Sequence, residues 1–192
     1  ESIEASRASS GIRFNVNARF DRVYANRGEV IENVNATMTS RGGIITSANI
    51  EGNFVSGLPI TVRLTPTEEG RELKISTNDG GAAMRAANFY SKVAGGQMQF
   101  YALITNAPGS PIRNGQLNLD RFEVRNEAAL AELDSRGKPK KSGPRRTGIY
   151  FKKLVIPFTT EANLVRLCKV SLRGPEMGAT ASGLIRKSDG AL

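Results

Sequence analysis

Side chains that could perform catalysis or bind a metal ion are scarce in this sequence. Its 192 residues include no His and one Cys, which removes imidazole bases, His-paired nucleophiles and most transition-metal sites. The alternating segment around Cys168 indicates a small buried side chain rather than a reactive thiol. Glu68 and Glu69 stand in turn-like sequence, and no phosphate-binding or nucleophile-elbow motif occurs. We therefore expect no enzymatic activity, no catalytic residue, no metal and no cofactor.

One segment concentrates positive charge. Residues 136–146 read RGKPKKSGPRR and supply +6 of the formal net charge of +9. At about 1 kcal/mol per cation such a cluster can hold an anionic membrane surface or lipid headgroups, and charge alone also permits a polyanion such as nucleic acid. A solvated loop is the simplest interpretation. Because no aromatic residue or recognition helix accompanies the cluster, we expect no nucleic-acid partner, and the predicted headgroup or membrane contacts are Arg136, Lys138, Lys140, Lys141, Arg145 and Arg146.

Most of the chain alternates apolar and polar residues, which is the period of a strand with one dry and one wet face. The segment IRFNVNARF at 12–20 shows this alternation clearly. Gly-containing turns separate the successive segments, which favours an antiparallel meander. The further alternating segments lie at 30–38, 44–54, 58–64, 73–75, 98–104, 115–124, 148–158, 163–172 and 178–187.

Two of the later segments change the parity of their apolar residues. The change follows Leu119 in 115–124 and Phe151 in 148–158. A β-bulge at Asp120–Arg121 and another at Lys152–Lys153 would keep one face dry throughout. The alternative is that one strand ends and another begins at each pair. We favour bulges, because a long sheet of one-sided strands has to curve.

One stretch has the period of a helix. In NDGGAAMRAANFYSKVAGGQM, residues 78–98, Asp79 is a good N-cap residue and apolar side chains recur every three or four positions. The pattern predicts a helix at about 80–94 that ends at Gly95–Gly96. A second, shorter helix is predicted at about 126–134, followed by the basic loop at 135–147.

The number of strands raises the question of how the sheet hides its dry face. Roughly ten strands at a spacing of about 4.8 Å make a sheet nearly 50 Å wide, and two short helices can cover only part of it. The pattern alone favours closure into a sandwich or barrel, because soluble proteins rarely expose large apolar patches. The alternative is an open sheet whose dry side holds an apolar ligand.

Several blocks of the sequence resemble, in the same order, the AsmA-like bacterial envelope proteins of the YhdP and TamB types. The likeness is to their C-terminal region and covers about 40–192. Its blocks are the helix motif at 78–98, where Asn88–Phe89 stands in place of Gly-Leu, then VRNEAALAEL, GIYFKKLVIPF and GPEMGATASGLIRKSDG.

The resemblance implies a mainly β fold, with a long curved antiparallel sheet of the β-taco or groove type and one or two short helices. It implies a bridge-like phospholipid-transport module, whose hydrophobic groove binds acyl chains for outer-membrane lipid homeostasis and cell envelope biogenesis. The helix would then seal or terminate part of the groove, or divide the sheet in two. The implied groove residues are Phe14, Val16, Val34, Met38, Ile50, Phe54, Ile60, Val62, Leu64, Leu73, Ile75, Met98 and Phe100. Without the resemblance, these side chains would be interpreted as ordinary core.

The resemblance also implies a location and partners. Because the chain begins with Glu, we expect 1–192 to be a single β-rich segment of a larger protein. That protein would be anchored in the inner membrane by a part outside this segment and would extend through the periplasm. Its partners would be phospholipid, an anionic membrane surface and envelope proteins at either membrane. Two alternatives are a non-transporting envelope scaffold that assists outer-membrane protein assembly, and a basic β domain that binds a polyanion.

Overall fold

The computed structural model describes residues 13–105, 112–126, 148–161, 164–175 and 177–186. Within these ranges the chain forms eleven strands and one α-helix. The helix, α1, is Gly80–Ala86, and a 3-10 turn at Asn26–Gly28 joins the first two strands. The strands are β1 (Phe14–Tyr24), β2 (Val30–Arg41), β3 (Ile44–Phe54), β4 (Pro59–Thr67), β5 (Gly70–Thr77), β6 (Val93–Ala94), β7 (Gln97–Ile104), β8 (Ile112–Arg125), β9 (Gly148–Glu161), β10 (Leu164–Arg173) and β11 (Gly178–Arg186).

All the strands belong to one antiparallel sheet. Its order is β1-β2-β3-β4-β5-β7-β8-β9-β10-β11, with the two-residue β6 beside the far end of β8. β5 and β7 pair directly although α1 lies between them in sequence, so the helix does not divide the sheet. The first and last strands are not paired with each other, so the sheet stays open. The predicted fold class, mainly β with a curved open antiparallel sheet, is confirmed.

The helix is shorter than the predicted 80–94, because a capping motif ends it early. The Asp79 carboxylate accepts the amide hydrogen of Ala82 at the N-terminus. At the other end Asn88 has a left-handed backbone, with φ of 52°. The amide of Phe89 then donates to Met84 O, and that of Asn88 donates to Arg85 O. This is a Schellman motif with Asn in the position that usually holds Gly, and the sequence pattern did not reveal it.

The two Gly pairs that flank the helix bond to each other. The amide of Gly80 donates to Gly96 O at 2.7 Å, and that of Gly81 donates to Gly95 O at 3.0 Å. A Cβ on Gly81 would lie 2.7 Å from Val93 O, and one on Gly80 would lie 2.3 Å from a methyl group of Leu119. These close approaches require Gly. They bring the start of α1 against the strand that follows it.

The sheet curves around α1. In the strand order β2 and β8 are five spacings apart, which is about 24 Å in a flat sheet. A seven-residue helix is only about 10 Å long. Nevertheless α1 contacts both β8 and the turn that precedes β2. The two halves of the sheet must therefore bend toward the helix, and the side that faces α1 is the concave side.

The two parity changes occur inside continuous strands, as predicted, but not as bulges. Asp120 pairs with Lys153 and Phe122 pairs with Phe151, so β8 and β9 stay in register through the change. Arg121 has a left-handed backbone, with φ of 56°. Both strands switch parity at the same rung, with no extra residue in either one. Phe122 and Phe151 consequently stack on the dry face, with ring centroids 5.4 Å apart.

Substituting Gly81 tests the packing of the helix start. Gly81→Ala should lower the free energy of unfolding by about 1–3 kcal/mol, because the new methyl group meets backbone atoms that cannot move aside. Gly183→Ala in β11 is the matched control, since a Cβ there has no atom within 4 Å. It should change stability by no more than about 0.5 kcal/mol. Urea denaturation of both variants measures this, and equal midpoints would contradict the proposed close packing.

Candidate functional site

The thirteen predicted groove residues lie on one face of the sheet. Cross-strand rungs connect them directly or through shared neighbours: Val16 pairs with Met38, Leu64 pairs with Leu73, and Ile75 pairs with Phe100. The same face continues across strands from which no site residue was predicted. We call the whole set the apolar face; its members on those later strands include Leu117, Leu119, Phe122, Leu154, Ile156, Phe158, Leu167 and Leu172.

Three of the predicted residues are buried and ten are not. Phe54 and Met98 belong to the core cluster beneath α1, and Val34 is buried on β2. Because α1 covers Phe54 and Met98, they stabilise the fold rather than offer a surface. The ten that stay partly or largely exposed are Phe14, Val16, Met38, Ile50, Ile60, Val62, Leu64, Leu73, Ile75 and Phe100.

The apolar face is continuous between its two halves. Phe100 of β7 and Phe158 of β9 stack across β8, with ring centroids 6.0 Å apart. Gly115 of β8 lies between them, and a Cβ there would be 2.5 Å from the Phe158 ring. The Gly therefore makes room for the stacked rings. The alternation in 115–124 and 148–158 was a sufficient signal to place these later residues on the same face.

At one end of the strands α1 covers the apolar face. Ala82, Ala83 and Met84 pack with Phe122 and Phe151 in the main core cluster. The helix therefore seals that end, which agrees with one of the two roles expected for it. Toward the other end no described helix covers the face, and Phe14 and Ile45 remain 43% and 41% exposed.

A set of polar contacts ties α1 to the turn between β1 and β2. The Asn26 amide donates to Ala86 O, and the Arg27 guanidinium donates to the Asn88 side chain. Arg85 forms an ion pair with Glu29 at 2.5 Å and also donates to Val93 O. The side chains of Arg85 and Glu29 are 30% and 19% exposed, so this ion pair is shielded from water. These contacts hold the β1–β2 hairpin against the helix.

Three sequence predictions remain: the basic residues, the second helix and the environment of Cys168. The six basic residues at 136–146 and most of the second helix at 126–134 lie outside the described residues. Cys168 lies in β10, as expected, but it is only half-buried.

The described residues offer an apolar surface and little else that could act chemically. Among them, no group of three or more His, Cys, Asp or Glu side chains is arranged to hold a metal ion. No helix within the described ranges is both long and apolar enough to span a bilayer. No family model, no curated protein and no solved structure matches this chain. The site is therefore characterised by its geometry alone.

The ion pair between Arg85 and Glu29 can be tested against a similar, exposed pair. Arg85→Met should lower the free energy of unfolding by about 1–3 kcal/mol, because it leaves the shielded Glu29 carboxylate and Val93 O without their partner. Arg22→Met removes the pair with Glu32, whose side chains are 63% and 33% exposed, and should cost less than about 0.5 kcal/mol.

Thermal or urea unfolding of the two variants, followed by circular dichroism, gives the comparison. A loss in Arg85→Met no larger than that in Arg22→Met would show that the hairpin does not depend on this contact.

Proposed function

We propose that this chain is a lipid-binding module of a bridge-like phospholipid-transport protein, with acyl chains held on the apolar face. The observation that supports it most directly is the exposure of this face. Ten of the thirteen predicted side chains keep at least part of their surface exposed in the described residues, and Phe14 is 43% exposed. Exposed apolar surfaces of this extent usually mark a binding site.

The energetics of lipid transfer favour a surface of this kind. Each CH₂ group moved from a bilayer into water costs about 0.8 kcal/mol. A sixteen-carbon chain would therefore face a barrier of about 12 kcal/mol in open water. Side chains such as Ile50, Val62 and Leu73 would replace the bilayer interior, while the headgroup stays in water.

The side chains on the face suit movement rather than tight binding. The thirteen predicted groove side chains are aliphatic, aromatic or Met and none has a directional polar group, so their contacts with hydrocarbon are non-directional and similar at each position. An acyl chain could shift along such a surface without breaking a specific bond. Transport along the face requires no catalytic group, which fits a sequence without His.

The ordered blocks that resemble AsmA-like proteins give the proposal its cellular setting. In that setting the chain is a periplasmic segment of a protein anchored in the bacterial inner membrane. Its role would be outer-membrane lipid homeostasis. The fold agrees with the resemblance in one specific respect: Asn88, which replaces the family's Gly, has the left-handed backbone that Gly favours.

Lipid occupancy of a pair of neighbouring variants tests this function. Val62 is on the apolar face and Thr61, next to it on β4, is on the opposite face. Both side chains are partly exposed, so aspartate at either position should leave the sheet folded. Val62→Asp places a carboxylate against the acyl chain and should reduce co-purifying phospholipid by about tenfold or more, because an unpaired charge is costly in hydrocarbon. Thr61→Asp should leave occupancy unchanged.

Native mass spectrometry of protein expressed in a bacterial host measures the bound phospholipid, and circular dichroism verifies folding. Wild-type protein that binds no phospholipid, even after incubation with phospholipid vesicles, would contradict the proposal. That result would leave a non-transporting scaffold as the better explanation of the same sheet.

A further inference from the structure

One charged residue, Arg71, pairs with residues of the apolar face at the end of β5 farthest from α1. Arg71 pairs with Pro66 on β4 and with Ile104 on β7, on the same face as Leu73. Among the ladder-paired residues of this face in the described strands, Arg71 is the only one with an ionisable side chain. A charge on an apolar surface is costly unless it is partnered. Its position therefore requires an explanation.

One edge of the guanidinium has a structural partner. Nη1 donates to Ile45 O at 2.8 Å. The ladder between β3 and β4 ends at Ala48 and Leu64, so Ile45 has no ladder partner on β4. Arg71 thus reaches across β4 to donate to a carbonyl of β3.

The other edge of the guanidinium has no partner among the described residues. Nε is buried and makes no hydrogen bond, and no described carboxylate forms an ion pair with Arg71. Nε and Nη2 together form the fork that binds a carboxylate or a phosphate through two parallel hydrogen bonds. The free edge is therefore suited to an anionic oxygen pair.

A second buried polar group without a hydrogen bond lies on β2. Ser40 is 1% exposed, and its Oγ makes no hydrogen bond within the described residues. Ser40 is the ladder partner of Ile45, whose carbonyl binds Arg71. Buried polar groups in folded proteins are nearly always paired. Two buried polar atoms without a hydrogen bond, on a face that is otherwise apolar, point to a polar atom supplied by a ligand.

The distance from Arg71 to the sealed end matches the length of an acyl chain. Thr77, the last residue of β5, is six steps along the strand from Arg71, which is about 20 Å. One leaflet of a bilayer contains about 15 Å of hydrocarbon, half of the full core. A chain whose headgroup lies at Arg71 would thus reach toward the core beneath α1.

We propose that Arg71, assisted by Ser40, binds the anionic phosphate or carboxylate of an acyl lipid whose hydrocarbon chain lies on the apolar face and points toward α1. This inference rests on the proposed function and adds the class of lipid, its binding residue and its orientation. Arg113 is a second cation near the same end, but its side chain is 67% exposed and lies 3.8 Å from Glu69. Its charge is already compensated.

The test compares two lipids with the same palmitoyl chain: 1-palmitoyl lysophosphatidate, which is anionic, and 1-monopalmitoylglycerol, which is neutral. Isothermal titration calorimetry below the critical micelle concentration gives both dissociation constants. Wild-type protein should bind the anionic lipid about tenfold or more tightly than the neutral one, as expected for charge-assisted hydrogen bonds. Arg71→Met should abolish this preference and leave the affinity for monopalmitoylglycerol unchanged.

Three further variants test whether the preference for the anionic lipid depends on Arg71 or on other cations. Arg71→Lys, which keeps the charge but not the fork, should retain part of the preference. Arg63→Met, on the opposite face, and Arg113→Met should retain all of it. If Arg71→Met weakens both lipids equally, or weakens neither, Arg71 serves only to bind Ile45 O and the inference is wrong.

A competition experiment with inorganic phosphate distinguishes a lipid headgroup from a free anion as the group that Arg71 binds. Inorganic phosphate at millimolar concentration should not displace lysophosphatidate, because the hydrocarbon chain supplies much of the affinity. Displacement by phosphate would show a site for a free anion and would overturn the headgroup assignment. A wild-type protein that binds neither lipid would contradict the proposed function itself, whereas equal binding of both lipids would contradict only the role of Arg71.

Discussion

The structure depends on the contact between a two-turn helix and a sheet far too wide for it to cover. α1 buries a cluster that extends from Phe54 on β3 to Phe151 on β9. The strands must curve for both ends of that cluster to reach one short helix. The dry side chains pack together at the helix end, whereas at the other end Phe14 and Ile45 remain exposed. One contact thus determines both where the core lies and where the apolar face stays accessible.

The helix can hold this position because its surroundings are fixed by the backbone. The bonds between Gly80–Gly81 and Gly95–Gly96 attach its first turn to the strand that follows it. The Schellman motif at Asn88 ends it after two turns and turns the chain back toward β6. A helix with the predicted bounds of 80–94 would cover more of the apolar face. The early C-cap therefore helps to keep that face open.

Alternation allowed most of the fold to be predicted, because a strand with one dry face has a period that few other structures share. The strand segments, their antiparallel order and the face of each groove residue all follow from it. The pattern alone favoured closure into a sandwich or barrel, and that expectation was wrong. A barrel and an open sheet have the same alternation and differ only in whether the first and last strands pair. The resemblance supplied the open form, and the structure has it.

The errors came from features that do not change the alternation. Asn88 was interpreted as part of a helix because its left-handed backbone leaves no trace in the apolar spacing. Phe54 was placed among the open groove residues because burial beneath α1 depends on contacts between distant segments. Arg71 was missed for the opposite reason: it interrupts the apolar set of β5, so a search for apolar residues ends at Leu73. Its partner Ile45 is 26 residues away in sequence, and the apolar spacing gives no sign of that contact.

The distribution of polar groups on the apolar face gives the proposed lipid a direction. The end beneath α1 is closed by Ala, Met and Phe side chains and offers nothing to a headgroup. The unpaired donors of Arg71 and Ser40 lie at the opposite end. An amphiphile that placed its headgroup beneath α1 would bury an anion without a partner, which is far more costly than exposing part of an acyl chain. The same argument disfavours ligands with polar atoms along their length, since the aliphatic surface between the two ends could not satisfy them. A simple acyl lipid, with its charge at one end, is therefore the ligand that best fits this surface.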